Sequence, residues 1–298
     1  MIKRIFIGQD GKLRAGLRAV IFFAATFALL FAVQFYILGP VADRLGVTAG
    51  LTAGGIALNE AAIFVAAFLV TAAFALYERR GIGSYGLPPT RALSGDTLAG
   101  FVAGIVMAGA VAAGMIALGG VQVSGLALTG RALAMAGLAW LGANVCVGIA
   151  EELWFRAYFL QTFWRSIGFW PGAVAVALVF AALHYFFKDG ENVWDVITLV
   201  SLSLLMSWSV LRSGMLWFAV GVHIAFDFMQ FFVIGTPNGD QVPQGHMLNA
   251  SFHGPAWVNG GVLGTEASFL MYPAIAALWL YVWWRYRGRA ALSLNETR

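Results

Sequence analysis

One cysteine, Cys146, is present in 298 residues, which excludes an internal disulfide and a cysteine-based metal site. It lies in an apolar run and reads as a small interior residue. Charge is equally scarce. Asp, Glu, Lys and Arg make up 11% of the chain, against about 25% in a soluble domain. No polar stretch is long enough to build a sizeable soluble domain. The net charge of +4 is small, and the basic residues cluster between apolar runs. That distribution suits a membrane surface and argues against a nucleic-acid partner. Also missing are a Ser–His–acid pattern, an inverted pair of broken helices and any low-complexity segment.

What the chain has is apolar surface: 60% hydrophobic residues and a mean hydropathy of +0.81. This predicts an all-α, polytopic transmembrane helix bundle. Eight runs are long enough to span a ~30 Å hydrocarbon core: 19–38, 57–77, 97–118, 132–164, 171–187, 194–210, 214–234 and 267–284. The first follows Lys3, Arg4, Lys12, Arg14 and Arg18 and is too long for a signal peptide, so it reads as an uncleaved helix. The fourth exceeds one span and should be tilted, broken or partly interfacial. Gly100, Ala103, Gly104, Ala108 and Gly109 predict close helix packing in the third. The chain divides into 1–130 with three spans, 131–235 with four, and 236–298 with a loop, a last span and a basic tail.

Basic residues set the orientation. Lys3–Arg18, Arg79, Arg80, Arg91, Arg165, Arg212, Arg285, Arg287 and Arg289 fall on one side of an alternating path. Arg44, Arg131 and Lys188 stand alone on the other. The positive-inside rule places both termini in the cytoplasm, as in a bacterial-type inner or plasma membrane. Trp164, Trp170, Trp194, Trp257, Trp279, Trp283 and Trp284 lie near span ends, as an aromatic belt would. The loop 236–265 reads as extracytoplasmic, with His246 and His253 solvated. The tail Ser293–Arg298 reads as frayed.

Three polar clusters interrupt the spans: Glu151-Glu152 with Arg156, Phe180 with His184, and His223 with Asp227. Charges in such runs are expensive and are functional candidates by default. Four-residue spacing lets Glu152 pair with Arg156, and His223 with Asp227. Glu151 is turned about 100° from Glu152, so the two carboxylates do different work. Glu151 precedes the glycine of the turn Ser166-Ile167-Gly168 by 17 residues, and His184 follows it by 16. Both therefore lie at nearly the same depth. His223 sits ~14 Å in from Gly214 on a third helix. Taken singly, His184 is more often a satisfied interior histidine, and Arg156 can snorkel to headgroups. Together they supply a base, imidazole donors and a second carboxylate, which suits water attack on a carbonyl. Glu151, His184, His223 and Asp227 could also hold a divalent metal such as zinc. The same groups would serve a proton-coupled transporter, or stand idle in a scaffold for a partner membrane protein. Glu60 and Glu266, at span ends, are left outside the site, and Phe180 reads as packing against it.

Glu-Glu-x-x-x-Arg, Phe-x-x-x-His and His-x-x-x-Asp, in this order on successive apolar helices, resemble the motifs of the CAAX-processing and bacteriocin-processing intramembrane endopeptidases. That family includes the type II CAAX prenyl endopeptidases and many bacterial Abi proteins. The resemblance covers about Ala139–Phe232. It implies an eight-helix bundle with a polar cavity open to the cytoplasm, and proteolysis of a membrane-bound or lipidated peptide in the bilayer. On it, Glu151 activates water with His184, His223 belongs to the oxyanion-stabilising pair, and Glu152 with Arg156 gives support. No cofactor is required, although many relatives are called metalloproteases. Asp227 departs from the asparagine of prenyl-processing members, which leaves the oxyanion role and the substrate open.

Overall fold

In hydrocarbon a backbone amide must find its partner within the chain, so apolar runs of this length become helices. The computed structural model describes residues 6–8, 11–45, 50–239 and 241–292. It contains eight helices long and apolar enough to span: α1 (Ala15–Arg44), α2 (Ala53–Glu78), α3 (Gly95–Ala117), α4 (Gly130–Ile167), α5 (Phe169–Phe187), α6 (Val193–Ser213), α7 (Trp217–Ile234) and α8 (Gly261–Tyr286). The bundle is the all-α polytopic fold expected. Lys3, Arg4 and the tail Ser293–Arg298 lie outside the described residues.

The overlong fourth run does not break. It is one helix with a wide π-helical turn, Leu153–Phe159, placed directly after Glu152. A second π-helical turn, Phe228–Ile234, follows Asp227 in α7. Such turns widen the helix locally and are frequent at functional sites. α4 and α5 are joined by Gly168 alone, at φ 91°, and Gly214 closes α6 at φ 75°. Both are left-handed conformations that glycine adopts without steric cost.

α7 is the central helix, and 83% of it is buried in the protein. Backbone contact at glycine holds it there. A methyl group on Gly100 of α3 would stand 2.1 Å from the Phe218 carbonyl oxygen, and one on Gly104 would stand 2.5 Å from that of Val222. On the other side, a methyl group on Gly148 of α4 would stand 2.7 Å from the Ile224 side chain and 3.2 Å from the Val220 carbonyl oxygen. The small residues of the third span therefore serve the helix that carries His223 and Asp227.

The two ends of the bundle differ. At the end holding the start of α1 and the end of α8, buried acids collect the basic residues. Glu78 is 2.6 Å from Arg18 and 3.4 Å from Arg165, and accepts from the Tyr158 hydroxyl at 2.8 Å. Asp96 binds Arg285 at 2.8 Å and Tyr286 at 3.0 Å. At the opposite end, the polar region 236–265, a loop by sequence, is folded. Strand β1 (Val121–Leu126) pairs antiparallel with β2 (Leu248–Phe252), and a short helical turn, Ala256–Asn259, follows. This pairing joins residues more than 120 positions apart in sequence, which no local pattern announces. His253 is exposed, as expected. His246 is only half-exposed, packs over Gly235 and binds the Pro243 carbonyl oxygen.

Candidate active site

Three carboxylates surround His223. Its Nδ1 lies 3.1 Å from Glu152 Oε1, and its Nε2 lies 3.6 Å from both Glu151 Oε2 and Asp227 Oδ2. The rotation between Glu151 and Glu152 allows this, because the two carboxylates reach different edges of one ring. Glu152 Oε1 also accepts from Arg156 Nη1 at 2.5 Å, and Arg156 Nη2 donates to Ser203 Oγ at 3.0 Å. Glu152 and Arg156 are both fully buried, so neither reaches the headgroups. Arg156 also lies 5.3 Å above the Phe180 ring. Phe180 is buried and stands edge-on to Phe155, which is the support expected of it.

His184 is not in this cluster of contacts. Its Nδ1 lies 3.0 Å from the Phe180 carbonyl oxygen. A carbonyl only accepts, so Nδ1 carries the proton, and the lone pair of the neutral ring is on Nε2. His184 shares with Glu151, His223 and Asp227 the lining of a cavity of about 170 Å³. It shares with Glu151 a second, wider cavity of about 590 Å³. The depth match between Glu151 and His184 across the Gly168 turn thus places both beside the same space.

Residues left out on the sequence reading also line this space. Glu60 faces both cavities, is 6% exposed, and its Oε2 has no hydrogen-bond partner. Glu266 lines the smaller cavity and accepts from Gln230 Nε2 at 3.3 Å. By sequence alone both lie at span ends, outside the site. They face inward because α2 and the start of α8 pack their polar turns against the site. The sequence signal available was the polar pair Asn59-Glu60 in an apolar run; Glu266 had none. Lys188, which stands alone among basic residues in sequence, pairs with Glu266 and lies 3.1 Å from Glu191. Burial works against its ammonium, but Glu266, Asp195 and Glu191 outweigh that and hold its pKa above the ordinary lysine value.

The wider cavity opens among Phe27, Phe31 and Gln34 of α1, Phe187 of α5, and Asp189 and Gln241 of the neighbouring loops. All of these lie in the half of the bundle opposite the termini. An opening toward the cytoplasm and cytoplasmic termini therefore cannot both hold. Among the described residues, three candidate metal-ligand atoms come within 4.8 Å of one another at Glu191, Asp195 and Glu266, a group that includes none of Glu151, His184, His223 and Asp227.

Residues 133–229 match the family model described as Type II CAAX prenyl endopeptidase Rce1-like. Comparison with curated proteins and with solved structures gave no match. The matched third of the chain holds Glu151, Glu152, Arg156, His184, His223 and Asp227, and over it the chain is similar to that family of CAAX proteases.

Proposed function

We propose that the chain is an intramembrane endopeptidase in which Glu151 activates a water molecule against the scissile carbonyl of a membrane-anchored peptide. The observation that carries this reading is the position of Glu151. Its carboxylate reaches to 3.6 Å from His223 Nε2 and lines a cavity with His184. Glu151 takes a proton from water as the oxygen attacks the carbonyl carbon. The Nε2 lone pair of His184 accepts the second hydrogen of that water and orients it. As the imidazolium, with Nδ1–H donated to Glu152, His223 donates its Nε2–H to the oxyanion that develops. As the C–N bond breaks, Glu151 returns its proton to the leaving amine. Glu152, held by Arg156, fixes the ring of His223 through Nδ1. The chemistry requires no metal.

Charge supports one side of access over the other. The basic end belongs in the cytoplasm, so the cavity mouth faces the extracytoplasmic half of the bilayer. Phe31 and Phe187 at the mouth are exposed to lipid, which suits a substrate arriving laterally on a lipid or apolar anchor. The test is cleavage of a lipid-anchored peptide by purified protein in oriented proteoliposomes. Product should form when the peptide is on the face remote from the protein's termini. No cleavage from either face would sink the protease reading. Proton flux through the same vesicles would then favour the rival, a proton-coupled transporter using Glu60, Glu151, Asp227 and Glu266 as a relay.

A further inference from the structure

At the mouth of the cavity, three carboxylates meet that the cleavage chemistry does not use. Glu191 comes from the loop between α5 and α6, Asp195 from the first turn of α6, and Glu266 from the start of α8. One oxygen of each lies within 4.8 Å of the others. Their surroundings do not balance them. Asp195 is fully buried, and neither of its side-chain oxygens has a hydrogen-bond partner. The Glu191 side chain is 1% exposed, and its oxygens also lack hydrogen bonds, although Lys188 stands 3.1 Å from one of them. Among the described residues, Lys188 is the cation that pairs with the group, so three carboxyl groups share one ammonium.

We infer that Glu191, Asp195 and Glu266 form a binding site for a hard divalent cation of the calcium class. Oxygen-only ligands select Ca²⁺ or Mg²⁺ over zinc, which favours nitrogen and sulfur. Ca²⁺–oxygen distances of about 2.3–2.6 Å allow ligand oxygens up to ~5 Å apart on one ion, in line with this spacing. The backbone is already set for it. Asn192 Oδ1 caps α6 by accepting from the Trp194 and Asp195 amides, which fixes the turn bearing Asp195. Gly190, at φ 82°, lets the loop pack against Val262 of α8. A cation here would tie the α5–α6 loop to α8. Because Glu266 and Lys188 also line the active cavity, it would set the shape of the mouth.

The inference is independent of the proposed cleavage chemistry, and its test reads binding. The full-length protein in detergent is stripped with chelator, freed of it, and titrated with CaCl₂, MgCl₂ or ionic-strength-matched KCl while thermal unfolding is followed. Ca²⁺ should raise Tm by several degrees in a saturable way, since a ligand bound only to the native state stabilises it. The rise should vanish in Asp195→Asn and Glu191→Gln and persist in Glu151→Gln. In parallel, Trp194, next to Asp195, should sensitise Tb³⁺ luminescence in the parent protein, and Ca²⁺ should quench it by displacement. If the variants do not fold, the parent protein's Tb³⁺ and Ca²⁺ responses decide. Absence of both responses in the parent, or a Tm rise that survives Asp195→Asn, would overturn the site and would mean that Lys188 alone serves the three acids.

Discussion

His223 Nδ1 stands 3.1 Å from Glu152 Oε1, the same oxygen that Arg156 reaches at 2.5 Å. One buried carboxylate thus joins the guanidinium of its own helix to the imidazole of the central helix. It holds the His223 ring in place as well as holding an ion pair.

Glu152→Gln should therefore cost stability first. It leaves the fully buried Arg156 without its charge partner, and breaking such a pair costs about 3–5 kcal/mol. Ser203→Ala, which removes only a hydroxyl from Arg156, should cost about 1 kcal/mol. Denaturation midpoints in detergent check the order. Equal midpoints for Glu152→Gln and the parent protein would remove Glu152 from the supporting role.

Glu151→Gln and His184→Ala should each abolish cleavage without loss of fold. Glutamine keeps the shape but takes no proton, and losing a positioned base costs about 10²–10⁴-fold. Initial rates on a lipid-anchored peptide, with Tm measured alongside, give the answer. Full activity in Glu151→Gln would assign the chemistry elsewhere.

Asp227→Asn should keep activity or raise it. Asp227 Oδ2 lies 3.6 Å from His223 Nε2, where an amide could donate to an oxyanion beside the imidazole. Rates with and without chelator separate this from metal ligation. If Asp227 holds a catalytic metal, the variant should be slower, and chelator should inhibit the parent protein.

Gly104→Ala should lower both stability and rate, although it lies outside the cavity lining. The added methyl would fall 2.5 Å from the Val222 carbonyl oxygen and displace the helix that carries His223. Overpacking of this kind costs about 1–3 kcal/mol. Gly109→Ala, whose nearest neighbour would be Met229 Cε at 3.8 Å, is the control and should behave like the parent protein.

Orientation is read by labelling single cysteines in a Cys146→Ser background. Ile167→Cys is exposed at the basic end and Gln241→Cys at the cavity mouth. An impermeant maleimide on intact cells should label residue 241 and spare residue 167. The reverse pattern would put the mouth in the cytoplasm and the termini outside.

Much of this protein was legible without coordinates, for definite physical reasons. Hydrocarbon forces each long apolar run into a helix, so eight spans could be counted from hydropathy. The fixed rise of a helix then placed Glu151 and His184 at one depth on either side of Gly168. Four-residue spacing paired Glu152 with Arg156. Other features depended on which faces meet. Local periodicity says nothing about how a helix is turned toward its neighbours, so Glu60 and Glu266 passed for interfacial charges until α2 and α8 turned them inward. Glu152 looked like the partner of Arg156 alone until α7 brought His223 against it. The pairing of β1 with β2, the end at which the cavity opens, and the meeting of Glu191, Asp195 and Glu266 all join residues distant in sequence. Only the tertiary structure could decide them.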